Sequence, residues 1–220
     1  MRHFEAELDE LRTLLLEMSG LVEAAIYRSV LSLVRRDQAQ AEDVFRNEAR
    51  INRLQIEIDD KATRLLALEQ PVAKDLRLIA AAIKINNDLE RMGDEAVNIA
   101  GQAVSLMREL PVNPPVDIPH MAGLVESMVR KALDSFVKGD GEMARGILVS
   151  DDVVDDLWDT ILEVLKGYMR SHPEGVAQCV NLMFVAKNLE RIADHATNIA
   201  EDVIYLVEGV DVRHHSEAAT

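Results

Sequence analysis

Apolar side chains recur at alternating spacings of four and three in two stretches of this chain. Leu78, Ala82, Ile85, Leu89, Met92, Ala96, Ile99, Ala103 and Leu106 form one series; Leu182, Val185, Leu189, Ile192, Ala196, Ile199, Val203 and Leu206 form the other. At 3.6 residues per turn this spacing gathers one apolar seam along a long helix, the pattern of rods packed nearly antiparallel in a bundle. Each series is preceded by another helical pattern. Ile51, Leu54, Ile58 and Leu65 mark the apolar side of the earlier one, and Val154, Leu157, Ile161 and Tyr168 that of the later one. Breaks are predicted at Arg36-Asp37 and Gly139-Asp140, where Asp37 with Gln40 resembles a capping box. Further breaks are expected at Gln70-Pro71 and at Ser171-His-Pro-Glu174, where Ser171 can cap and proline is tolerated in a first turn.

The two halves are copies of one another. Met18-Ser-Gly-Leu-Val-Glu23 recurs as Met121-Ala-Gly-Leu-Val-Glu126, and the same displacement maps Asp37 onto Asp140, Ala41 onto Ala144, Glu48 onto Asp151 and Asn52 onto Asp155. Three residues fewer separate Leu89-Glu-Arg-Met-Gly-Asp-Glu-Ala-Val-Asn-Ile-Ala100 from Leu189-Glu-Arg-Ile-Ala-Asp-His-Ala-Thr-Asn-Ile-Ala200, which match at eight of twelve positions. Ordered matches along a whole unit mean duplication. Pro111 to Pro119 holds four of the six prolines and cannot continue a helix. The expected architecture is all-α: two tandem up-down-up three-helix bundles, at 1–110 and 120–209, with a linker at 111–119 and a polar tail at 210–220.

Composition narrows the function classes. The chain carries 24 Lys and Arg against 39 Asp and Glu, a net charge of −15, so no nucleic-acid partner is expected. Cys179 is the sole cysteine, so no intramolecular disulfide is possible; a buried thiol and a reducing, cytoplasmic setting are expected. The amino terminus lacks the apolar core of a signal peptide, and no transmembrane segment is expected, because no uncharged run approaches about 18 residues.

The candidate chemistry lies off the seams. Glu90, Asp94 and Asn98 stand at i, i+4, i+8 and are expected to face outward; the second copy repeats the strip as Glu190, Asp194, Asn198 and Asp202. The preceding helices offer flanks bearing Glu48, Asn52 and Asp59 in one copy, and Asp151 and Asp155 in the other. Facing acidic strips repel, and a shared cation removes the penalty; carboxylate and amide oxygens suit hard cations such as Mg, Ca, Mn or iron. The plainer reading is a solvated acidic face on which Arg91 and Arg191 pair with Asp94 and Asp194. His195 replaces Glu95 and reads as a surface histidine or an extension of the second site; His214-His215 lies in the tail, and Trp158 reads as core or interface. Phosphate-loop, nucleophile-elbow and Glu-x-x-His signatures are missing. An exposed carboxylate-metal enzyme of hydrolase type and a purely structural scaffold stand as alternatives to a binding protein.

Leu89-Glu-Arg-Met-Gly-Asp94, its counterpart from Leu189 to Asp202, and Gln70-Pro-Val-Ala-Lys-Asp-Leu-Arg77 resemble the PhoU family of phosphate-uptake regulators, nearly end to end. The resemblance implies surface, multinuclear metal clusters (iron, Mn, Mg or Zn) held by Glu90/Asp94 and Glu190/Asp194 opposite Glu48/Asn52 and Asp151/Asp155. Asn52 departs from the family's acidic pattern, and Asp152/Asp156 is the alternative inward pair. The resemblance further implies a non-catalytic, dimeric negative regulator of the phosphate-starvation response. Such a protein would link the phosphate ABC transporter ATPase to the phosphate-sensing histidine kinase, and lie peripheral to the inner membrane through its partners.

Overall fold

The computed structural model describes residues 2–69 and 71–212, and the described residues fold into six long helices and one short 3-10 turn, with no strand. Helices α1 (Arg2–Arg35), α2 (Gln38–Glu69) and α3 (Ala73–Met107) form one bundle. Helices α4 (Ile118–Lys138), α5 (Gly141–Ser171) and α6 (Val176–Glu208) form the second. No helix among the described residues is long and apolar enough to cross a membrane. His214 and His215 lie outside the described residues.

The seams are the core. Every residue of the first series is buried, and so is every residue of the second except Leu182, which is half-buried. Ile51, Leu54, Ile58 and Leu65 of α2 close the first bundle. Val154 and Ile161 of α5 close the second, with Leu157 and Tyr168 half-buried beside them. Cys179 is fully buried, and burial raises its thiol pKa, so it stays protonated.

The repeat is visible in its turns. Arg36 (φ 51°) and Gly139 (φ 62°) occupy equivalent positions after α1 and α4, both left-handed, and each is followed by an aspartate that caps the next helix. Asp37 accepts from the Ala39 N–H at 3.0 Å and Asp140 from the Met143 N–H at 2.9 Å. Glycine adopts this conformation at no steric cost, whereas arginine is strained by about 1 kcal/mol. Arg36 has a compensating role: its guanidinium donates to the carbonyls of Leu106 (2.9 Å), Met107 (3.0 Å) and Glu109 (3.2 Å), closing the end of α3.

A compensation also joins α2 to α3. A Cβ added to Gly93 would lie 3.3 Å from Ile51 Cδ1. The second copy has alanine at 193, and there the equivalent of Ile51 is the smaller Val154. Between the two copies the pair exchanges volume, larger on α2 where α3 is smaller.

Two boundaries differ from expectation. The link between bundles is 108–117, because Asp117 caps α4 by accepting from the His120 N–H at 3.0 Å and Pro119 sits inside the first turn. Ser171 does not cap: it is the last residue of α5, and its hydroxyl donates back to the Tyr168 carbonyl at 3.1 Å.

The bundles are not merely strung in series. Helices α3 and α6 make the most extensive helix contact of the molecule and run antiparallel, Lys84 meeting Asp202 near one end and Glu95 meeting Arg191 near the other. The two central helices therefore bury a second face beyond the predicted seam, holding the buried polar groups Glu95 and Asp202.

Candidate metal centre

Helices α5 and α6 form an antiparallel hairpin, and their flanks bring Asp151, Asp155, Glu190 and Asp194 together. Asp151 is pushed up to about 6, first by burial and then by Asp155, Asp194, Asp152 and Glu190. Asp155 is raised by burial and by Glu190, and Asp194 by burial, Glu190 and Asp155. Each helix thus acts on the acids of the other. Two oxygens are fully buried without a hydrogen-bond partner, Asp151 Oδ1 and Glu190 Oε2. Buried acceptors left bare are costly, and an oxygen-seeking cation within reach of them would remove that cost. Among the described residues, no three His, Cys, Asp or Glu side chains are already drawn into a coordination shell. The donor set and its orphaned oxygens fit a hard cation.

Asp151 and Asp155 are the pair that takes part. Asp151 is half-buried and Asp155 is exposed, as are Asp152 and Asp156; what sets Asp151 and Asp155 apart is that the acids of α6 act on both. The cluster has a base of its own, Lys187, 2.6 Å from Glu190 Oε1 and 5.6 Å above the centre of the half-buried Trp158 ring.

The first bundle presents a different set. Glu48, Asn52, Glu90 and Asp94 are each half-buried. Glu90 is raised by burial and by Asp94 and lowered by Arg91 and His195, charges that lie on α3 and α6. Arg91 Nε lies 3.6 Å from its carboxylate. Asp59, on the same flank, accepts from Asn86 at 2.9 Å and serves the contact between α2 and α3.

Three expected ligands point elsewhere. Asn98 donates to Glu95 at 3.1 Å, Asn198 donates to Asp88 at 3.2 Å, and buried Asp202 pairs with Lys84 at 2.7 Å. The cause is helical geometry: each step of four residues overshoots a full turn by about 40°, so a strip extended over three steps swings by about 120°. Glu190 and Asp194 face α5, and Asn198 and Asp202 face α3. His195 is not a surface residue; its Nδ1 lies 2.8 Å from Asp88. The arginines also take partners other than Asp94 and Asp194, Arg91 meeting Glu90 and Arg191 meeting Glu95 at 3.3 Å.

A family model described as the PhoU domain matches residues 15–103 and 118–203, one match per bundle. The chain belongs to the PhoU family. A Pseudomonas aeruginosa relative named phosphate-specific transport system accessory protein PhoU homolog is 41% identical over 97% of this chain and 88% of its own. One from Aquifex aeolicus, with the same name, is 40% identical over 94% of each chain. The crystal structure of PhoU from Pseudomonas aeruginosa superposes with a TM-score of 0.91 at 40% identity, covering 94% of this chain and all of its own. That of the phosphate transport system regulatory protein PhoU from Streptococcus pneumoniae gives 0.86 at 30% identity, covering 95% and 99%. Each PhoU domain here is one three-helix bundle.

Proposed function

We propose that this chain is a non-catalytic accessory regulator of phosphate transport. In this reading it is a cation-binding adaptor between the phosphate ABC transporter ATPase and the phosphate-sensing histidine kinase, and holds the starvation response down when phosphate is plentiful. It works in the cytoplasm as a homodimer, reaching the inner membrane through those partners. The accessory role is supported by the names of its relatives across nearly their full length. The observation that carries the cation-binding half is the pair of bare, buried oxygens within four mutually repelling acids. Asp151, Asp155, Glu190 and Asp194 would hold the ion, which supplies positive charge where the chain has concentrated negative charge.

The test is deletion of the gene followed by measurement of alkaline phosphatase in phosphate-replete cells. High activity is expected, restored to low by the parent gene and not by a variant carrying Asp151→Asn, Asp155→Asn, Glu190→Gln and Asp194→Asn. Low activity after deletion contradicts the regulatory reading. Full rescue by the variant contradicts the role given to the acids.

A further inference from the structure

We propose that cation binding is confined to the second bundle, and that the duplicated position in the first bundle no longer binds. This rests on the reading of the acidic cluster as a cation centre, and it sets the two halves of a duplicated protein to different work.

Charge along the equivalent helices is inverted. Residues 48–56 of α2 carry one acid, Glu48, and two bases, Arg50 and Arg53. The matching stretch of α5, 151–159, carries five aspartates and no base. Asn52 stands where the second bundle has Asp155, which removes the carboxylate that should oppose Glu90. Arg53 stands where the second bundle has Asp156, and Arg46, one turn before Arg50, pairs with Asp43. A cation approaching the second site meets a concentrated negative field, whereas one approaching the first meets exposed guanidinium groups.

The side chains agree with the charges. Among the described residues both bare buried carboxylate oxygens lie in the second bundle, while the first has a bare amide oxygen on Asn86, whose amide nitrogen donates to Asp59. In the first, Glu90 has Arg91 beside it. One feature opposes the difference: Lys187 has the neutral Asn87 as its counterpart. Its ammonium is shared between Glu190 and the Trp158 ring and leaves Glu190 Oε2 bare.

The test uses the full chain, Mn2+ as probe, and metal content after exchange into metal-free buffer, with the manganese spin-resonance signal as a second readout. Asp155→Asn with Glu190→Gln is expected to lose the retained manganese, and Glu48→Gln with Glu90→Gln to keep all of it. Circular dichroism with both pairs unchanged in helicity shows that neither result reflects unfolding. Asn52→Asp with Arg53→Asp is expected to add manganese by restoring the lost charge. Manganese reduced in the Glu48/Glu90 pair overturns this inference alone, whereas a parent chain that retains no manganese overturns the cation centre itself.

Discussion

His195 on α6 meets Asp88 on α3 with Nδ1 2.8 Å from Oδ1, joining the two copies of the repeat across their central helices. Asn198 donates to the same Asp88 oxygen at 3.2 Å, so one carboxylate holds two groups of the other bundle. Both members of the His–Asp pair are largely buried, at 21% and 14% side-chain exposure. Asp88→Ala strands both partners and should lower stability by about 1–3 kcal/mol, a cost typical of an unsatisfied buried polar group. Urea unfolding of variant and parent measures it, and an unchanged midpoint contradicts the bridging role.

Glu95 is the mirror case, buried and served by Arg191 at 3.3 Å and by Asn98 at 3.1 Å. Arg191→Met leaves its charge uncompensated. The expected loss, again about 1–3 kcal/mol, should be largely recovered by adding Glu95→Gln, since removing both charges costs less than stranding one. Equal stability of the single and double variants argues against this pairing.

The volume exchange between Ile51 and Gly93 can be read from a mutant cycle. Ile51→Val alone should cost about 1 kcal/mol through the space it leaves. In a Gly93→Ala background the added methyl occupies that space, and the same substitution should cost measurably less. Additive effects would mean that the two positions do not share volume.

Asp151 gives a pH signature in the metal-free chain. Its carboxyl is pushed up to about 6 in the fold, while an unfolded aspartate titrates at about 3.9. The folded state therefore holds the proton more tightly, so this group's contribution is greatest at low pH. It declines as pH rises from about 4 to about 6, with no further change above. Asp151→Asn should remove the decline and melt higher than the parent at neutral pH in the presence of chelator. A parent chain that gains stability relative to the variant across that window contradicts the assignment.

Lys187 is the cluster's internal counter-ion. Lys187→Met should destabilise the metal-free protein and tighten Mn2+ binding by roughly thirtyfold, equivalent to about 2 kcal/mol for a unit charge a few ångströms from a divalent ion in a well-screened site. Calorimetric titration reads it, and weaker binding would make Lys187 a support of the site and not a competitor.

Seams, duplication and number of helices were legible because they depend on period alone. Leu89 and Ile192 repeat with their helices and need no knowledge of neighbours. The contact between α3 and α6 was not legible, since nothing local ties His195 to Asp88 or Asp202 to Lys84. Within the candidate site, Glu190 and Asp194 could be grouped with α5 from spacing. The choice of Asp151 over Asp152 could not, because adjacent positions differ by about 100° and the packing of the bundle decides between them. Asn198 and Asp202 were drawn into the strip by treating an i+4 series as straight, when it winds.

The central claim is that the acids of α5 and α6 share a cation. An anomalous-difference map from crystals grown with Mn2+ tests it most directly. A peak in the groove between the two helices, at about 2.0–2.6 Å from carboxylate oxygens of Asp151, Asp155, Glu190 or Asp194, is the result expected for a hard cation on oxygen ligands. A map featureless in that groove, from crystals in which those side chains are ordered, would contradict it.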